Sequence, residues 1–321
     1  MLRKKILIII PYFGKLPNYF EMWLLSAKYN KDFDWLLILD DKTNYDFPEN
    51  VNVEYSSFQI LKNTIQKKFD FQITLHSPYK LCDYRPAYGY IFNEYIKDYD
   101  FWGYGDVDLI YGNLSNFITD QILYEYDKIL SVGHLTLFRN NDYMNSSFKL
   151  QAPNLPSYIE AFSNEKPFTF DEWGGVTRIF NAHPIKQYQE GIMADISWYF
   201  YKFKSANGHA NYKKTCFVWN NGVLYQLFEN NNELGVKEFP YVHFQKRKMD
   251  VKYSTPLDSI NTIVITPQGF ETFNTLDIMN RDFLLTGFRE NIRALMSFYI
   301  RLSKRGVKKL RKKLPSFSIN P

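Results

Sequence analysis

Cysteine is scarce in this sequence of 321 residues, which contains only Cys82 and Cys216. Two cysteines give no disulfide framework, so a reducing compartment fits best. Long apolar runs are also missing, because no stretch approaches the ~20 apolar residues of a membrane span. The N-terminus begins like a signal peptide, with basic residues at positions 3–5, but Pro11 ends the apolar stretch early and without a small-residue cleavage site. We therefore expect a cytoplasmic protein.

Several sequence motifs with a known chemistry are absent as well. The sequence has no G-x-G-x-x-G, no P-loop, no zinc-ligand spacing and no nucleophile elbow. These absences argue against a dinucleotide-binding Rossmann domain, a P-loop nucleotidase, a zinc module and an α/β-hydrolase. His76, His134, His183 and His209 are scattered along the chain, and their simplest interpretation is structural.

Acidic residues stop at Glu290, and nine Lys and Arg residues follow. We predict that residues 281–321 form a basic amphipathic helical tail, with apolar residues roughly on one face. Such a helix can lie on an anionic bilayer, where each basic side chain contributes about 1 kcal/mol. The alternatives are a solvated basic terminus and a nucleic-acid contact, but no nucleic-acid module accompanies the charge. We therefore expect a peripheral position on the inner face of the cell membrane and no nucleic-acid partner.

Short apolar runs alternate with helical stretches through the first half of the chain. The predicted strands cover residues 5–10, 35–39, 51–55 and 101–104, with helices beginning near Asn18, Ser57 and Pro86. This alternation predicts an α/β fold with a Rossmann-like, mostly parallel central sheet flanked by helices. Further strands are predicted at 128–132, 135–139, 241–244 and 262–266, with a hairpin around 220–222. We expect one domain over residues 1–280, followed by the tail.

The stretch 101–112 is the most informative, because an aromatic strand there ends in Asp106 and Asp108. Side chains at i and i+2 of an extended chain leave it on the same face, so the two carboxylates can converge on one cation. Gly103 and Gly105 are expected to let a bulky ligand approach the main chain. A hard divalent ion on two carboxylates commonly holds a diphosphate. The alternative is a loop in which one aspartate caps a following helix.

Residues 5–14, the aspartates at 40 and 41, and the stretch 102–108 resemble bacterial glycosyltransferases of the GT-A fold. Those enzymes build capsular or cell-surface polysaccharide from sugar nucleotides, and the resemblance covers residues 1–250. It implies a metal-dependent hexosyltransferase with Mn²⁺ or Mg²⁺ on Asp106 and Asp108. The donor would be a nucleotide diphosphate sugar, with UDP-hexose favoured, and the acceptor a glycan or a lipid-linked sugar.

The same resemblance assigns the donor's nucleoside to the loops after the first two strands. It implies that Pro11, Tyr12 and Phe13 face the base, and that Asp40 or Asp41 binds the base or the ribose. The helix before the metal strand flanks the donor pocket in this fold, so Arg85 is expected to contact the donor and Asp83 a sugar hydroxyl. Helix-start preferences alone also explain Asp83 and the neighbouring proline.

A third metal ligand is predicted late in the chain. A neutral imidazole is a good ligand for Mn²⁺, and His243 is followed by Lys246, which can neutralise phosphate. Retaining GT-A enzymes show a similar histidine and lysine, although here the spacing is shorter and a glycine is missing. The alternative is a structural histidine at the end of a strand.

Asp171 and Glu172 are the candidate catalytic bases, because an inverting transferase needs a carboxylate to take the acceptor's proton. The neighbouring Trp173 is suited to stacking on a sugar. The alternative is that Thr169 and Glu172 form a capping box. Asp195 is a further candidate, and a retaining enzyme would need no base. A sugar nucleotidyltransferase and a non-catalytic carbohydrate-binding protein at the membrane surface remain alternative functions.

Overall fold

The computed structural model describes residues 4–231, 233–245, 247–252 and 260–272. The predicted tail (281–321) and Lys246 lie outside these residues. The described part confirms the α/β class, with mixed sheets flanked by helices. None of its helices has both the length and the apolar character needed to cross a membrane.

The strands and helices of the described residues are as follows. The strands are β1 (Ile6–Tyr12), β2 (Phe33–Leu39), β3 (Val51–Tyr55), β4 (Phe101–Gly105), β5 (Leu109–Tyr111), β6 (Lys128–Val132), β7 (Leu135–Arg139), β8 (Gln187–Tyr188), β9 (Ala194–Asp195), β10 (Thr215–Asn220), β11 (Val223–Asn230), β12 (Glu233–Phe239), β13 (Tyr241–His243), β14 (Asp250–Lys252), β15 (Thr262–Ile265) and β16 (Gly269–Thr272). The α-helices are α1 (Phe20–Lys28), α2 (Phe58–Gln66), α3 (Tyr88–Ile91), α4 (Asp120–Glu125), α5 (Asp142–Ser146), α6 (Tyr158–Ser163) and α7 (Val176–Asn181). Three 3₁₀ segments cover Pro78–Ala87, Leu114–Asn116 and Ser147–Lys149.

The central sheet has seven strands in the order β3-β2-β1-β4-β7-β6-β8. The first four are parallel, whereas β7 is antiparallel to both β4 and β6. Because β6 and β8 run in the same direction as β4, this sheet is mostly parallel as predicted, and the one strand of the seven that is reversed is β7. The reason is that only Gly133 and His134 separate β6 from β7, and so short a connection can join only antiparallel strands.

Strand β1 is buried on both faces of the central sheet. Ile6, Ile8 and Ile10 pack on the side of α1, whereas Leu7 and Ile9 pack on the side of α2. Because successive side chains of a strand point to opposite faces, this two-sided burial explains the uninterrupted apolar run.

A second, mostly antiparallel sheet packs on the outer side of α1. Its order is β12-β11-β10-β15-β16-β14, and the predicted hairpin joins β10 to β11 through Asn221 and Gly222, both with positive φ. Trp23 of α1 contacts the central-sheet core, while Met22 and Leu25 contact the core of the second sheet. A small third sheet, β5-β13-β9, joins segments that are far apart in the sequence.

The predicted helix starts are only partly correct. Ser57 caps α2 as predicted, since its hydroxyl accepts a hydrogen bond from Ile60 N at 3.2 Å. Asn18 does not cap α1, because its amide donates to the carbonyl of Met249 instead. The helix predicted from Pro86 is replaced by the 3₁₀ segment Pro78–Ala87 and the short α3.

Gly103 and Gly105 serve the packing of the sheet and not a ligand, which corrects the sequence-based expectation. A Cβ on Gly103 would lie 2.4 Å from the carbonyl oxygen of Thr136 in β7. A Cβ on Gly105 would lie 3.2 Å from Ile8 Cγ2 and 3.3 Å from Ile10 Cδ1. Neighbouring protein atoms therefore occupy the space that the missing side chains leave.

Gly103→Ala is expected to lower the free energy of unfolding by about 3 kcal/mol, because backbone of the neighbouring strand would have to move. Gly105→Ala is expected to cost about 1 kcal/mol, since only side-chain atoms need to shift. Urea unfolding of the two variants measures the difference. Equal losses would contradict this account of the close approach between β4 and β7.

Candidate metal centre

Asp106 and Asp108 lie in the bend between β4 and β5, beyond the carboxyl end of β4. Val107 between them is buried in the core, and the aspartate side chains keep 31% and 26% of their surface exposed. The main chain around them is fixed, since Asp106 N donates to His134 O at 3.2 Å and Phe244 N donates to Asp108 O at 3.1 Å. The bend thus presents both carboxylates on the same side.

His243 completes this group from β13, which pairs antiparallel with β5 and places His243 opposite Leu109. Its Nε2 lies 3.4 Å from Asp108 Oδ1. Ligand atoms of Asp106, Asp108 and His243 all lie within 4.8 Å of one another. The structure therefore brings together the three residues that were predicted as metal ligands.

The geometry of the three residues fits a divalent cation. Asp108 Oδ1 is buried and has no hydrogen-bond partner among the described residues. Two ligands that bind one ion at about 2.1 Å and roughly right angles lie about 3 Å apart, close to the observed separation of this oxygen from His243 Nε2. A set of two carboxylates and an imidazole suits Mn²⁺ better than Mg²⁺, which prefers oxygen ligands.

The carboxylates of the group favour positive charge beside them, which is a proton on His243 when no metal ion is bound. Burial alone lowers the pKa of His243, but the carboxylates of Asp108 and Asp195 outweigh it and raise the pKa to about 10. Burial raises the pKa of Asp106, and the charge of Asp108 adds to that effect against the opposing charge of Arg85. Positive charge beside these carboxylates therefore stabilises their ionised form.

His134, Asp195 and His243 form a second group of possible ligands, but it does not fit a second ion. His243 Nδ1 lies 2.8 Å from Asp195 Oδ1, so a hydrogen bond to this carboxylate already occupies the ring nitrogen that the second group would need. His134 stacks on His243 with ring centroids 4.2 Å apart, and burial lowers its pKa well below the usual value. This group supports His243 from the side away from Asp108.

Arg85 lies beneath the metal centre and joins Asp106 to the neighbouring carboxylate of Asp171. Its guanidinium is hydrogen-bonded to Asp106 Oδ1, to Asp171 Oδ2 at 3.0 Å and to the carbonyl of Gly133 at 2.6 Å. These contacts make Arg85 an ion-pair partner that fixes the two carboxylates, and its expected contact with the donor stays a prediction. Asp106 keeps its second oxygen for a cation.

Asp83 is buried away from the cleft, which corrects its predicted contact with a sugar hydroxyl. Its carboxylate pairs with Lys80 Nζ at 2.6 Å and accepts hydrogen bonds from the backbone N–H groups of Phe168 and Phe170, each at 3.0 Å. Neither side chain of the ion pair is exposed to solvent. Asp83 therefore anchors the segment that leads to Asp171 and Glu172.

Asp171 and Glu172 precede α7, which begins at Val176. Thr169 has a φ of 51° and its hydroxyl donates to Phe168 O, so the capping box with Glu172 is not formed. A Cβ on Gly133 would lie 3.1 Å from both Asp171 Oδ2 and Glu172 Oε1. The two carboxylates thus meet over a backbone position that has no side chain.

Only one of these two carboxylates is placed to reach a substrate. Asp171 is fully buried, which raises its pKa to about 7 in spite of Arg85. Glu172 is exposed at the residue level, and partial desolvation of its carboxyl raises its pKa. Asp195 is a poor base, since its hydrogen bond and ion pair with His243 outweigh burial and lower its pKa. Among the candidate bases, Glu172 fits best.

The residues predicted to bind the nucleoside lie at the carboxyl ends of β1 and β2. Burial raises the pKa of Tyr12, and the nearby charges of Asp108 and Asp106 raise it further, which places this ring beside the metal centre. Phe13 packs edge-on against Phe58, with centroids 5.5 Å apart, and Pro11 lies within β1.

The two aspartates after β2 organise the loop after β1. Asp40 Oδ1 accepts from Gly14 N at 2.7 Å. Asp41 Oδ2 accepts from Leu16 N at 3.2 Å, and its Oδ1 accepts from the hydroxyl of Thr43 at 2.6 Å. Of the two, Asp40 is the more exposed and the better placed for a ribose.

Sequence reasoning missed the roles of His134 and Gly133. Both occupy the turn between β6 and β7, two strands that were predicted at the correct bounds. Because β7 pairs with β4, this turn lies beside Asp106. The same pairing brings His134 close enough to stack on His243. The short spacing of the two predicted strands, 128–132 and 135–139, was the signal that could have identified this hairpin in the sequence.

A search of the curated proteins finds no match to the chain. Residues 8–274 match a family of unknown function, DUF6625. The match extends from β1 beyond β16 and contains all three candidate ligands, Asp106, Asp108 and His243. Because it covers most of the sequence, the chain belongs to the DUF6625 family.

Proposed function

We propose that this chain is a metal-dependent glycosyltransferase. In this proposal it transfers a hexose from a nucleotide diphosphate sugar, with UDP-hexose favoured, to a glycan or lipid-linked acceptor in bacterial surface polysaccharide synthesis. The observation that carries the proposal is the group of Asp106, Asp108 and His243. In this group Asp108 Oδ1 is buried, has no hydrogen-bond partner among the described residues, and lies 3.4 Å from His243 Nε2.

The place of this group in the sheet supports the proposal. The neighbouring parallel strands β2, β1 and β4 end at the same edge, with Asp40, Tyr12 and Asp106 at their respective carboxyl ends. Ligands of open α/β sheets bind beyond the carboxyl ends of such strands. A diphosphate on the metal centre would have its nucleoside directed toward the loops after β1 and β2, as in a GT-A-like arrangement.

The chemistry assigned to the residues follows from their positions. Asp106, Asp108 and His243 would hold Mn²⁺ or, less favourably, Mg²⁺. The bound cation would stabilise negative charge on the diphosphate as the bond between sugar C1 and phosphate oxygen breaks. Arg85 keeps Asp106 and Asp171 in place beneath the ligand. Glu172 would accept the proton of the acceptor hydroxyl if the sugar is transferred with inversion.

The acceptor side of the proposal is supported by an exposed aromatic ring beside the candidate base. Trp173 follows Glu172 directly and has 52% of its surface exposed. Such a ring can stack on the apolar face of a sugar while Glu172 contacts a hydroxyl. The proposed contact of the tail (281–321) with an anionic membrane would bring the enzyme close to a lipid-linked acceptor.

A thermal-shift screen of nucleotide sugars with and without Mn²⁺ tests the function. A donor at 100 times its Kd adds about 2.7 kcal/mol of stability, which raises Tm by roughly 5–10 °C for a domain of this size. We expect this shift for a sugar nucleotide only when Mn²⁺ is present. A donor that shifts Tm equally without metal would contradict the proposal.

Product analysis then separates the proposed function from its alternatives. A glycosyltransferase releases a nucleoside diphosphate when donor and acceptor are present. Release of pyrophosphate from a nucleoside triphosphate and a sugar phosphate would indicate a nucleotidyltransferase. Binding of glycans without turnover of any sugar nucleotide would indicate a carbohydrate-binding protein.

A further inference from the structure

Asp195 lies directly beside His243 because their strands are register partners. The two-residue strand β9 runs parallel to β13, with Asp195 opposite His243. The backbone N–H of Ile196 donates to the carbonyl of His243 at 3.0 Å, which fixes the two strands at this point. The contact between the side chains, Nδ1 to Oδ1 at 2.8 Å, is therefore built on a rigid backbone pairing.

We infer that Asp195 is a positioning residue that fixes the imidazole of His243 with Nε2 directed at the metal position. A carboxylate can only accept, so Nδ1 of His243 is the donor in this hydrogen bond. Nε2 then lies on the opposite edge of the ring, 3.4 Å from Asp108 Oδ1. A carboxylate that orients a metal-binding imidazole in this way also strengthens it as a ligand. The inference rests on the metal centre of the proposed function.

Asp195 is itself held by a second donor. The side-chain amide of Gln245 donates to the same oxygen, Oδ1, at 2.9 Å. Gln245 has a φ of 55°, a backbone conformation that is uncommon for a residue with a side chain. The chain therefore turns sharply after β13, and this turn returns the Gln245 amide to Asp195.

The ring of His243 is also restricted on one face. His134 stacks on it at an interplanar angle of 29°, and the Nδ1 of His134 lies 3.0 Å from the hydroxyl of Tyr241. Stacking limits tilting of the His243 ring, and the hydrogen bond to Asp195 limits rotation about its Cβ–Cγ bond. Together these contacts leave Nε2 in one orientation, which is the preorganisation that a metal ligand needs.

The test compares Mn²⁺ binding by the wild type and by Asp195→Ala and Asp195→Asn, without any sugar nucleotide. By isothermal titration calorimetry, we expect Asp195→Ala to weaken Mn²⁺ binding by about 10- to 100-fold. Pulsed electron paramagnetic resonance should show ¹⁴N coupling from one imidazole in the wild type and a weakened or lost coupling in Asp195→Ala. Asp195→Asn keeps an acceptor oxygen but loses the negative charge, so it should retain the coupling and lose a smaller factor of affinity, about 3- to 10-fold.

Asp127→Ala is the matched control, because Asp127 is also a partly buried carboxylate in an ion pair, with Arg139 at the opposite end of the sheet. It should leave Mn²⁺ affinity unchanged. Wild-type affinity and unchanged ¹⁴N coupling in Asp195→Ala would overturn the inference. If that variant does not fold, an unchanged affinity in Asp195→Asn decides against it.

The same measurements separate this inference from the proposed function. Tight Mn²⁺ binding that depends on Asp195, with no sugar nucleotide bound in the thermal-shift screen, would leave the inference standing and contradict the function. Metal-dependent donor binding in Asp195→Ala, at wild-type Mn²⁺ affinity, would contradict the inference and leave the proposed function standing. A wild type that binds no divalent cation would overturn both.

Discussion

Asp108→Asn is expected to weaken Mn²⁺ binding by at least about 100-fold and to lower sugar transfer accordingly, because the cation loses an anionic ligand. The metal-free protein should change its free energy of unfolding by less than about 1 kcal/mol. The variant loses an attraction between Asp108 and protonated His243, but it also loses the repulsion between Asp108 and Asp106. These two effects have opposite signs.

Calorimetric titration with Mn²⁺ and urea unfolding without metal measure the two parts of this prediction. Asp98→Asn is a suitable control, since Asp98 is an exposed aspartate before the other end of β4. It should leave both quantities unchanged. Wild-type Mn²⁺ affinity in Asp108→Asn would show that the cation does not use this carboxylate, and the proposed metal centre would then be wrong.

Asp83→Ala is expected to lower the free energy of unfolding by about 3–5 kcal/mol. The substitution leaves the ammonium of Lys80 buried without its counter-charge, although the carbonyls of Ala161 and Lys166 still accept from it. It also leaves the N–H groups of Phe168 and Phe170 without their acceptor. The segment before Asp171 would lose its anchor.

Glu94→Ala provides a matched control, because Glu94 and Lys97 form an ion pair with the same i,i+3 spacing in solvent. Those side chains are 67% and 63% exposed, whereas Asp83 and Lys80 are both fully buried. The control should leave the free energy of unfolding nearly unchanged, and urea unfolding measures both variants. An equally small loss of unfolding free energy in Asp83→Ala, together with weaker donor binding, would contradict this account. It would support the contact with a sugar hydroxyl that was predicted from the sequence.

The local part of the metal centre was predictable from the sequence. The spacing of Asp106 and Asp108 after an apolar strand places both carboxylates on one side, and the buried Val107 between them explains why. His243 was predicted through a resemblance, since nothing in its own neighbourhood identifies its partners. Its position depends on the pairing of β13 with β5 and β9, which are strands of only three and two residues.

Residues whose local sequence is compatible with two different roles were harder to predict. Gly103 fits a ligand approach and a close strand approach equally well, and only the pairing of β4 with β7 decides between them. Arg85 and Asp83 both lie in the 3₁₀ segment Pro78–Ala87, but the structure places Arg85 under the cleft and buries Asp83 behind it. The sequence pattern contains no information about which side of this segment faces the ligand.

The distance along the chain between Asp106 and His243 has a consequence for folding. Contacts between remote segments form late, because the intervening chain must first lose much of its freedom. The ligand set is therefore incomplete until β13 has joined β5, even if the central sheet has already formed. A cation that binds across this junction would therefore link the stability of the small third sheet to that of the central sheet.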